Sequence, residues 1–193
     1  MHHATLSSML EADDVRPERF RPLKRVEYER LVDLGAFEDE RIELLRGALV
    51  TMSPQKSPHA HAVGALTRTL IRQLGERALV RPQLPVAISD DSEPEPDIAV
   101  VPEARYRDHH PTWAHVIIEV ADSSLRKDRG VKRELYAEQG VPEYWIVNVT
   151  DHVVEVYRSP ADGLYRESQQ VGPDGHLRLL AFPDVEVALA DLF

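Results

Sequence analysis

Two short apolar stretches with the character of β-strands are each interrupted by one carboxylate. The first, EPDIAVV, spans residues 95–101 and contains Asp97, and the second, HVIIEVADSS, spans residues 115–124 and contains Glu119. Burying an unpaired carboxylate costs several kcal/mol or forces the group to stay protonated. A fold that buries both strands must therefore supply each acid with a partner.

The remaining pattern predicts a mixed sheet with helices packed on it. Before the two strands, it predicts a helix in 24–35 with Val26, Leu31 and Leu34 on its apolar side, a β-hairpin or a bulged strand in 41–53, and a helix in 59–78. After them it predicts a single helix in 124–140 that starts at Ser123 or Ser124, and strands in 143–149 and 152–158. The remainder of the C-terminal part is β-rich.

Composition narrows the functional classes. The chain of 193 residues contains no cysteine, which excludes disulfides and thiolate metal sites. The formal charge of −10 argues against a protein that coats nucleic acid without specificity. Without a long apolar run or a secretory start, we expect a cytoplasmic protein with no membrane partner. We expect a loose N-terminal arm in 1–22 and one domain in 23–193.

The two interrupted strands predict a metal site if they are neighbours in the sheet. Side chains alternate along a strand, so both carboxylates can then point to the same side. Two acids held close together repel each other unless a cation lies between them. Mg²⁺ is the natural choice, and Mn²⁺ an alternative, because such ions take carboxylate oxygens and bind substrate phosphates.

A lysine that would complete such a site is missing two residues after Glu119, where Ala121 stands. The following helix, however, is basic. Lys132 shares a helical stripe with Asp128, Arg129 and Tyr136, and its long side chain could reach back to the end of the Glu119 strand. The helix could thus supply the cation from another Cα position.

Each candidate also has a purely structural interpretation. Asp97 could be a solvated acid at a strand start, and Glu119 could form a structural salt bridge. Glu43, in the first arm of the hairpin, could be a metal ligand or a surface charge. His59 and His61 are two residues apart, which points them to different faces of a helix and argues against a zinc pair.

Taken together, these segments resemble the Uma-type restriction endonuclease family of the PD-(D/E)xK nuclease superfamily. The resemblance covers about residues 25 to 193 and is most specific from Ile118 to Val147. It rests on the stretches RIELLRGALVTMSP, SPHAHAVGALTRTL, PEPDIAVV, HVIIEVADSSLRKDRGVKRELYAEQGVPEYWIVNV and ALADLF.

The resemblance implies an α/β (α+β) fold of the restriction-endonuclease type, with a mixed central sheet flanked by helices. It implies that Asp97, Glu119 and Glu43 are the site acids and that Lys132 is the lysine moved onto the helix. His59 falls on the family's histidine at a helix start. The empty lysine position at Ala121 departs from the wider superfamily.

Two functions are consistent with these residues. The first is a Mg²⁺-dependent DNA endonuclease, with metal ligands Asp97, Glu119, the Val120 carbonyl and Glu43, directly or through water. Lys132 would orient the attacking water. Substrate contacts are expected from His59, Arg126, Lys127, Arg129, Arg133 and Tyr136. The second is a non-catalytic module that binds nucleic acid or protein. A homodimer is compatible with either.

Overall fold

The computed structural model describes residues 21–193. The predicted loose arm in 1–22 lies almost wholly outside the described residues, and the assignment of 23–193 to a single domain stays a prediction. Leu23 donates its backbone N–H to the Gly47 carbonyl, at 3.0 Å. The described chain therefore begins against the hairpin that follows the first helix.

Ten strands and four α-helices follow along the described chain. The first half contains α1 (Arg25–Asp33), β1 (Ile42–Leu45), β2 (Ala48–Thr51), α2 (Ser57–Leu74), β3 (Leu79–Pro82), β4 (Ile98–Val101) and β5 (Val116–Ala121). The second half contains α3 (Leu125–Lys127), a π-helical segment (Asp128–Lys132), α4 (Arg133–Glu138), β6 (Glu143–Asn148), β7 (Val153–Ala161), β8 (Leu164–Val171), β9 (His176–Arg178) and β10 (Glu186–Ala188). Short 3-10 turns lie at Gly75–Arg77 and Leu189–Asp191.

The central sheet has six strands in the order β3-β4-β5-β6-β7-β8. Within it β5 and β6 pair in parallel, and the other neighbours are antiparallel. The predicted mixed sheet is thus confirmed. A parallel pair needs a crossover connection, and here the crossover contains α3, the π-helical segment and α4.

The central strands are buried on both faces, which explains their nearly unbroken apolar sequence. On one face, Ile98, Ile118 and Trp145 pack with α2 and the C-terminal strands. On the other face, Ala99 and Ile117 pack with α4 and the β1–β2 hairpin. Asp97 and Glu119 belong to this second face by strand alternation. None of the described helices is long and apolar enough to cross a bilayer.

Two helix predictions need correction. In α1 the buried residue is Tyr28, whose hydroxyl donates to the Ile42 carbonyl, whereas Val26 and Leu34 are 49% and 82% exposed. The helix predicted in 124–140 is not regular, because Gly130 has φ −100° and ψ −109°. The Ser124 side chain does not cap this helix; its hydroxyl donates to Asp128 instead.

Glu143, which is fully buried on β6, connects the C-terminal part of the chain to the central sheet through hydrogen bonds. Its carboxylate accepts hydrogen bonds from Trp145 Nε1 at 3.0 Å, Arg158 Nε at 2.9 Å and the Leu180 backbone N–H at 2.7 Å. The Glu143 network thus satisfies a buried acid without any contribution from the face that carries Asp97 and Glu119.

Glu93 is a buried acid that has no such set of donors. It pairs with Leu44 of β1 through the backbone and is 4% exposed. One carboxyl oxygen lies 3.9 Å from His110 Nε2, and the other has no hydrogen-bond partner among residues 21–193. Burial and the nearby charge of Glu29 raise the pKa of Glu93 to about 7.

We therefore expect Glu93→Gln to stabilise the protein in alkaline solution. The folded-state pKa of Glu93 is about 7 against an ordinary 4.5, so the wild-type protein loses stability as pH rises between these values. The variant should gain on the order of 3 kcal/mol in unfolding free energy at pH 8 and little at pH 4. Urea titrations at both pH values measure this, with exposed Glu103→Gln as control. Equal gains at the two pH values would contradict the prediction.

Candidate functional site

Asp97 lies immediately before β4, opposite Glu119 of the neighbouring antiparallel strand β5. The register pairs Ile98 with Ile118, and the next pair of positions outward is Asp97 and Glu119. Asp97 Oδ2 accepts the backbone N–H of Val120 at 2.8 Å. Strand pairing therefore brings together the two acids that interrupt the apolar runs.

Lys132 reaches both Glu119 and the hairpin acid Glu43. Its Nζ lies 2.8 Å from Glu119 Oε1 and 3.0 Å from Glu43 Oε2, and the three side chains are at most 5% exposed. Tyr136 donates its hydroxyl to the same Glu119 oxygen at 2.9 Å. The lysine that the sequence places on the helix thus lies in direct contact with the acid on the strand.

The irregular crossover positions Lys132. Lys132 ends the π-helical segment, immediately before α4, and the non-helical backbone at Gly130 lies two residues before it. π-helical turns are rare and recur at functional sites. The irregular segment turns the buried side chains of Asp128 and Lys132 towards the sheet, whereas Arg129 stays exposed.

Glu43 enters the site from the hairpin. It is fully buried on β1, and Lys127 donates to its other carboxylate oxygen, Oε1. Burial alone would raise the pKa of Glu43, but the charges of Lys132 and Lys127 outweigh it and lower that pKa below the ordinary value. Glu43 is therefore an ionised acid held between two ammonium groups and not a surface charge of the hairpin.

The pKa of Glu119 is raised, whereas that of Glu43 is lowered. Burial raises the pKa of Glu119 to about 8, since the favourable charge of Lys132 is offset by the nearby carboxylates of Asp128, Asp97 and Glu43. Burial would lower the pKa of Lys132, but the charges of Glu119, Glu43 and Asp128 raise it above its ordinary value. At a pKa of about 8, Glu119 is largely protonated in neutral solution, and a cation bound beside it would favour its ionised form.

His59 supplies a further positive group at the start of α2. Its Nε2 lies 2.9 Å from Asp97 Oδ1. Burial lowers the pKa of His59, but its hydrogen bond to Asp97, the charge of Asp97 and the nearby Val120 backbone raise it overall. His59 therefore contacts one of the predicted metal ligands, Asp97.

A cavity of about 730 Å³ opens over these side chains. Among the predicted site residues its lining includes Asp97, Glu119, Lys132, His59, Arg126 and Lys127. Arg129 lies outside this lining and pairs with Glu155 at 2.9 Å. Tyr136 is fully buried beneath Glu119 and does not line the cavity, so it contacts the acid and not the cavity space.

Asp128 is a site acid to which the sequence reasoning assigned no role. It lines the cavity, is 1% exposed, and its Oδ1 has no hydrogen-bond partner among residues 21–193. Burial is the main cause of its raised pKa. The spacing Asp-x3-Lys between Asp128 and Lys132 was the available signal, because it implies that both side chains project from one helical face.

The donors present fit a hydrated magnesium ion better than an ion enclosed by protein. No group of three or more His, Asp or Glu side chains in the described part of the chain is arranged to hold a metal. Mg²⁺, however, keeps several waters and needs only one or two carboxylates besides substrate phosphate. Asp97, just before β4, and Glu119, on β5, supply two carboxylates, and Asp128 adds a buried oxygen without a hydrogen-bond partner among residues 21–193.

Comparisons with known proteins agree with this architecture. The family model "Uma2: Putative restriction endonuclease" matches residues 25–190. A crystal structure described as that of "a putative nuclease belonging to DUF820" from Anabaena variabilis has a TM-score of 0.72 and 17% identity, covering 89% of this chain and 98% of that chain. At this identity the likeness shows the fold alone, and it confirms the predicted fold class. No curated protein matches the chain.

We expect Lys132→Met to destabilise the fold, because it leaves Glu43 and Glu119 buried without Lys132. Removing one partner of a buried ion pair typically costs about 3–5 kcal/mol. The double variant Lys132→Met with Glu43→Gln removes one positive and one negative charge and should recover part of the loss. Urea denaturation measures both effects. Exposed Lys24→Met is the control, and an unchanged stability of Lys132→Met would contradict the expectation.

Proposed function

The chain belongs to the Uma2 family, and from this premise we propose that it is a metal-dependent endonuclease that hydrolyses phosphodiester bonds in DNA. The family's description supports a nuclease. The observation that carries the proposal is the convergence of Glu119 and Lys132 beside Asp97 at the wall of one cavity, with Glu43 in contact with Lys132 behind them. These residues come from a hairpin, two strands and the crossover, and they meet where a phosphate could enter.

Asp97 and Glu119 would hold Mg²⁺ or Mn²⁺, assisted by the Val120 carbonyl and, through a water, by Glu43. Such an ion, when bound, polarises the phosphate and lowers the pKa of a bound water. Asp128 is placed to add its free carboxylate oxygen. Displacing the His59 contact would release the Asp97 oxygen that this histidine now occupies.

Lys132 acts through its charge and not as a proton acceptor. Because neighbouring acids raise its pKa, its ammonium keeps its proton at neutral pH. An ammonium has three N–H donors, and Glu119 and Glu43 occupy two of them. The third is available to a phosphate oxygen or to the attacking water, where a fixed positive charge stabilises the negative charge that develops.

Further backbone contacts are proposed for Arg126 and Lys127, which line the same cavity. Arg129 would need to leave Glu155 to contribute, so we assign it no direct role. A homodimer, with one site for each strand, belongs to the proposal only if the substrate is duplex DNA.

A non-catalytic binding module is the second candidate. It is favoured by the cations that already neutralise the acids, Lys132 at Glu119 and Glu43 and His59 at Asp97. In that case the ion pairs hold the fold together and leave no place for a metal. The two candidates differ in whether the purified protein binds a divalent ion.

Metal binding should raise the melting temperature of the wild-type protein. A ligand at about 100 times its Kd stabilises the folded state by about 2.7 kcal/mol, which corresponds to a shift of several degrees. We expect this shift with Mg²⁺ or Mn²⁺, its loss in Asp97→Asn, and its retention in exposed Glu103→Gln. The absence of any shift in the wild-type protein would favour the non-catalytic module.

Catalysis should depend on Glu119 and Lys132. We expect plasmid nicking in Mg²⁺ or Mn²⁺ that falls by at least about a hundredfold in Glu119→Ala and in the double variant Lys132→Met with Glu43→Gln. The double variant separates lost chemistry from lost folding, and its melting temperature is measured alongside. Lys24→Met should cleave like wild type. Nicking that persists in Glu119→Ala, or that needs no metal, would contradict the assignment.

A further inference from the structure

The acids and the lysine of the site are recessed. The side chains of Glu43, Lys132 and Glu119 are 0%, 2% and 5% exposed, and that of Asp97 is 11% exposed. Asp97, Glu119 and Lys132 line a cavity of about 730 Å³, which lies in the size range of small-ligand sites, and Glu43 lies behind them in contact with Lys132. A phosphodiester must therefore enter the cavity to reach them. For a base to follow its phosphate into the cavity, the nucleotide must be unstacked and, in a duplex, extruded from the helix.

One wall of the cavity is apolar. Val50 and Met52 come from the second arm of the hairpin and its continuation, Leu45 from the first arm, and Val131 from the crossover. Val50 and Val131 are partly buried and pack against the core on this face of the sheet. An aliphatic wall beside a charged floor suits a nucleotide, since the face of the base contacts the wall while the phosphate turns to the acids and Lys132.

The cations around the cavity can neutralise only a few phosphates. Arg41 pairs with Glu95 at 3.3 Å, Lys56 pairs with Asp122 at 2.9 Å, and Lys127 pairs with Glu43. Arg126 lines the cavity and has no ion-pair partner among residues 21–193. Proteins that hold duplex DNA through its backbone commonly neutralise about 6–10 phosphates. The recessed site offers far fewer uncommitted cations.

We propose that the cavity takes one unstacked nucleotide of single-stranded DNA, with its base against the Val50 wall and its phosphate towards Lys132. This inference rests on the proposed function and specifies its substrate class. A flexible single strand can enter the cavity without the cost of unpairing a base. Such a substrate is cut at one site and needs no second protomer.

Binding can be measured separately from cleavage. A fluorescein-labelled oligothymidylate of about 12 nucleotides and a duplex hairpin with the same number of nucleotides are titrated in EDTA, and anisotropy is followed. We expect the single strand to bind at least about tenfold more tightly than the duplex. Equal affinity, tighter binding of the duplex or no binding of either probe would overturn the proposal.

Two residues of the same strand provide a matched pair of variants. Val50 lines the cavity, whereas its neighbour Leu49 is 44% exposed and points to the opposite face of β2. Val50→Glu should weaken binding of the single strand by about tenfold, and Leu49→Glu, which adds the same charge, by less than about twofold. Equal weakening by both variants, or by neither, would overturn the assignment of the wall.

Melting temperatures show whether each variant folds. If Val50→Glu does not fold, Met52→Glu places the same charge on the cavity wall after the strand has ended. Selective binding of the single strand without metal-dependent nicking would remove the proposed catalysis and keep the substrate class. Metal-dependent nicking of a duplex without preference for the single strand would keep the proposed catalysis and overturn the proposed substrate class.

Discussion

The contact of the Lys132 ammonium with Glu119 and Glu43 is the interaction on which this face of the molecule depends. Each acid is buried, and neither could remain ionised there without a positive partner. The contact joins the crossover to β5 and to the hairpin, so it also fixes where the hairpin lies on the sheet. The same contact therefore compensates the buried charges and holds together the elements that shape the cavity.

The topology explains why the lysine comes from this part of the chain. β5 and β6 are parallel, so the chain must cross from the end of β5 back to the start of β6. The crossover begins next to the end of the Glu119 strand and packs on the face that carries this acid. A basic residue in its first turns therefore needs only a long side chain to reach Glu119, although the position at Ala121 is apolar.

The sequence predicted the features that follow from periodicity and charge. Strand alternation placed Asp97 and Glu119 on one face, and the cost of burying them required cations, which Lys132 and His59 supply. The irregular backbone at Gly130 was missed, although a glycine inside a predicted helix is a local signal for non-helical angles. The sequence reasoning also could not foresee that Arg129 would pair with Glu155, because the partner lies 26 residues away on β7. In α1, the side that carries Tyr28 is buried, because the Tyr28 hydroxyl donates to the buried Ile42 carbonyl. The predicted apolar side with Val26 and Leu34 is exposed instead.

The irregular backbone at Gly130 has a consequence for how the ammonium is placed. Lys132 follows this break and has helical angles of φ −69° and ψ −44°, so its backbone is continuous with α4 and is separated from α3 by Gly130. The attraction of Glu119 and Glu43 for the ammonium therefore holds the start of α4 together with Lys132. A change in the direction of α3 can be absorbed at Gly130 without moving the Lys132 charge away from the two acids.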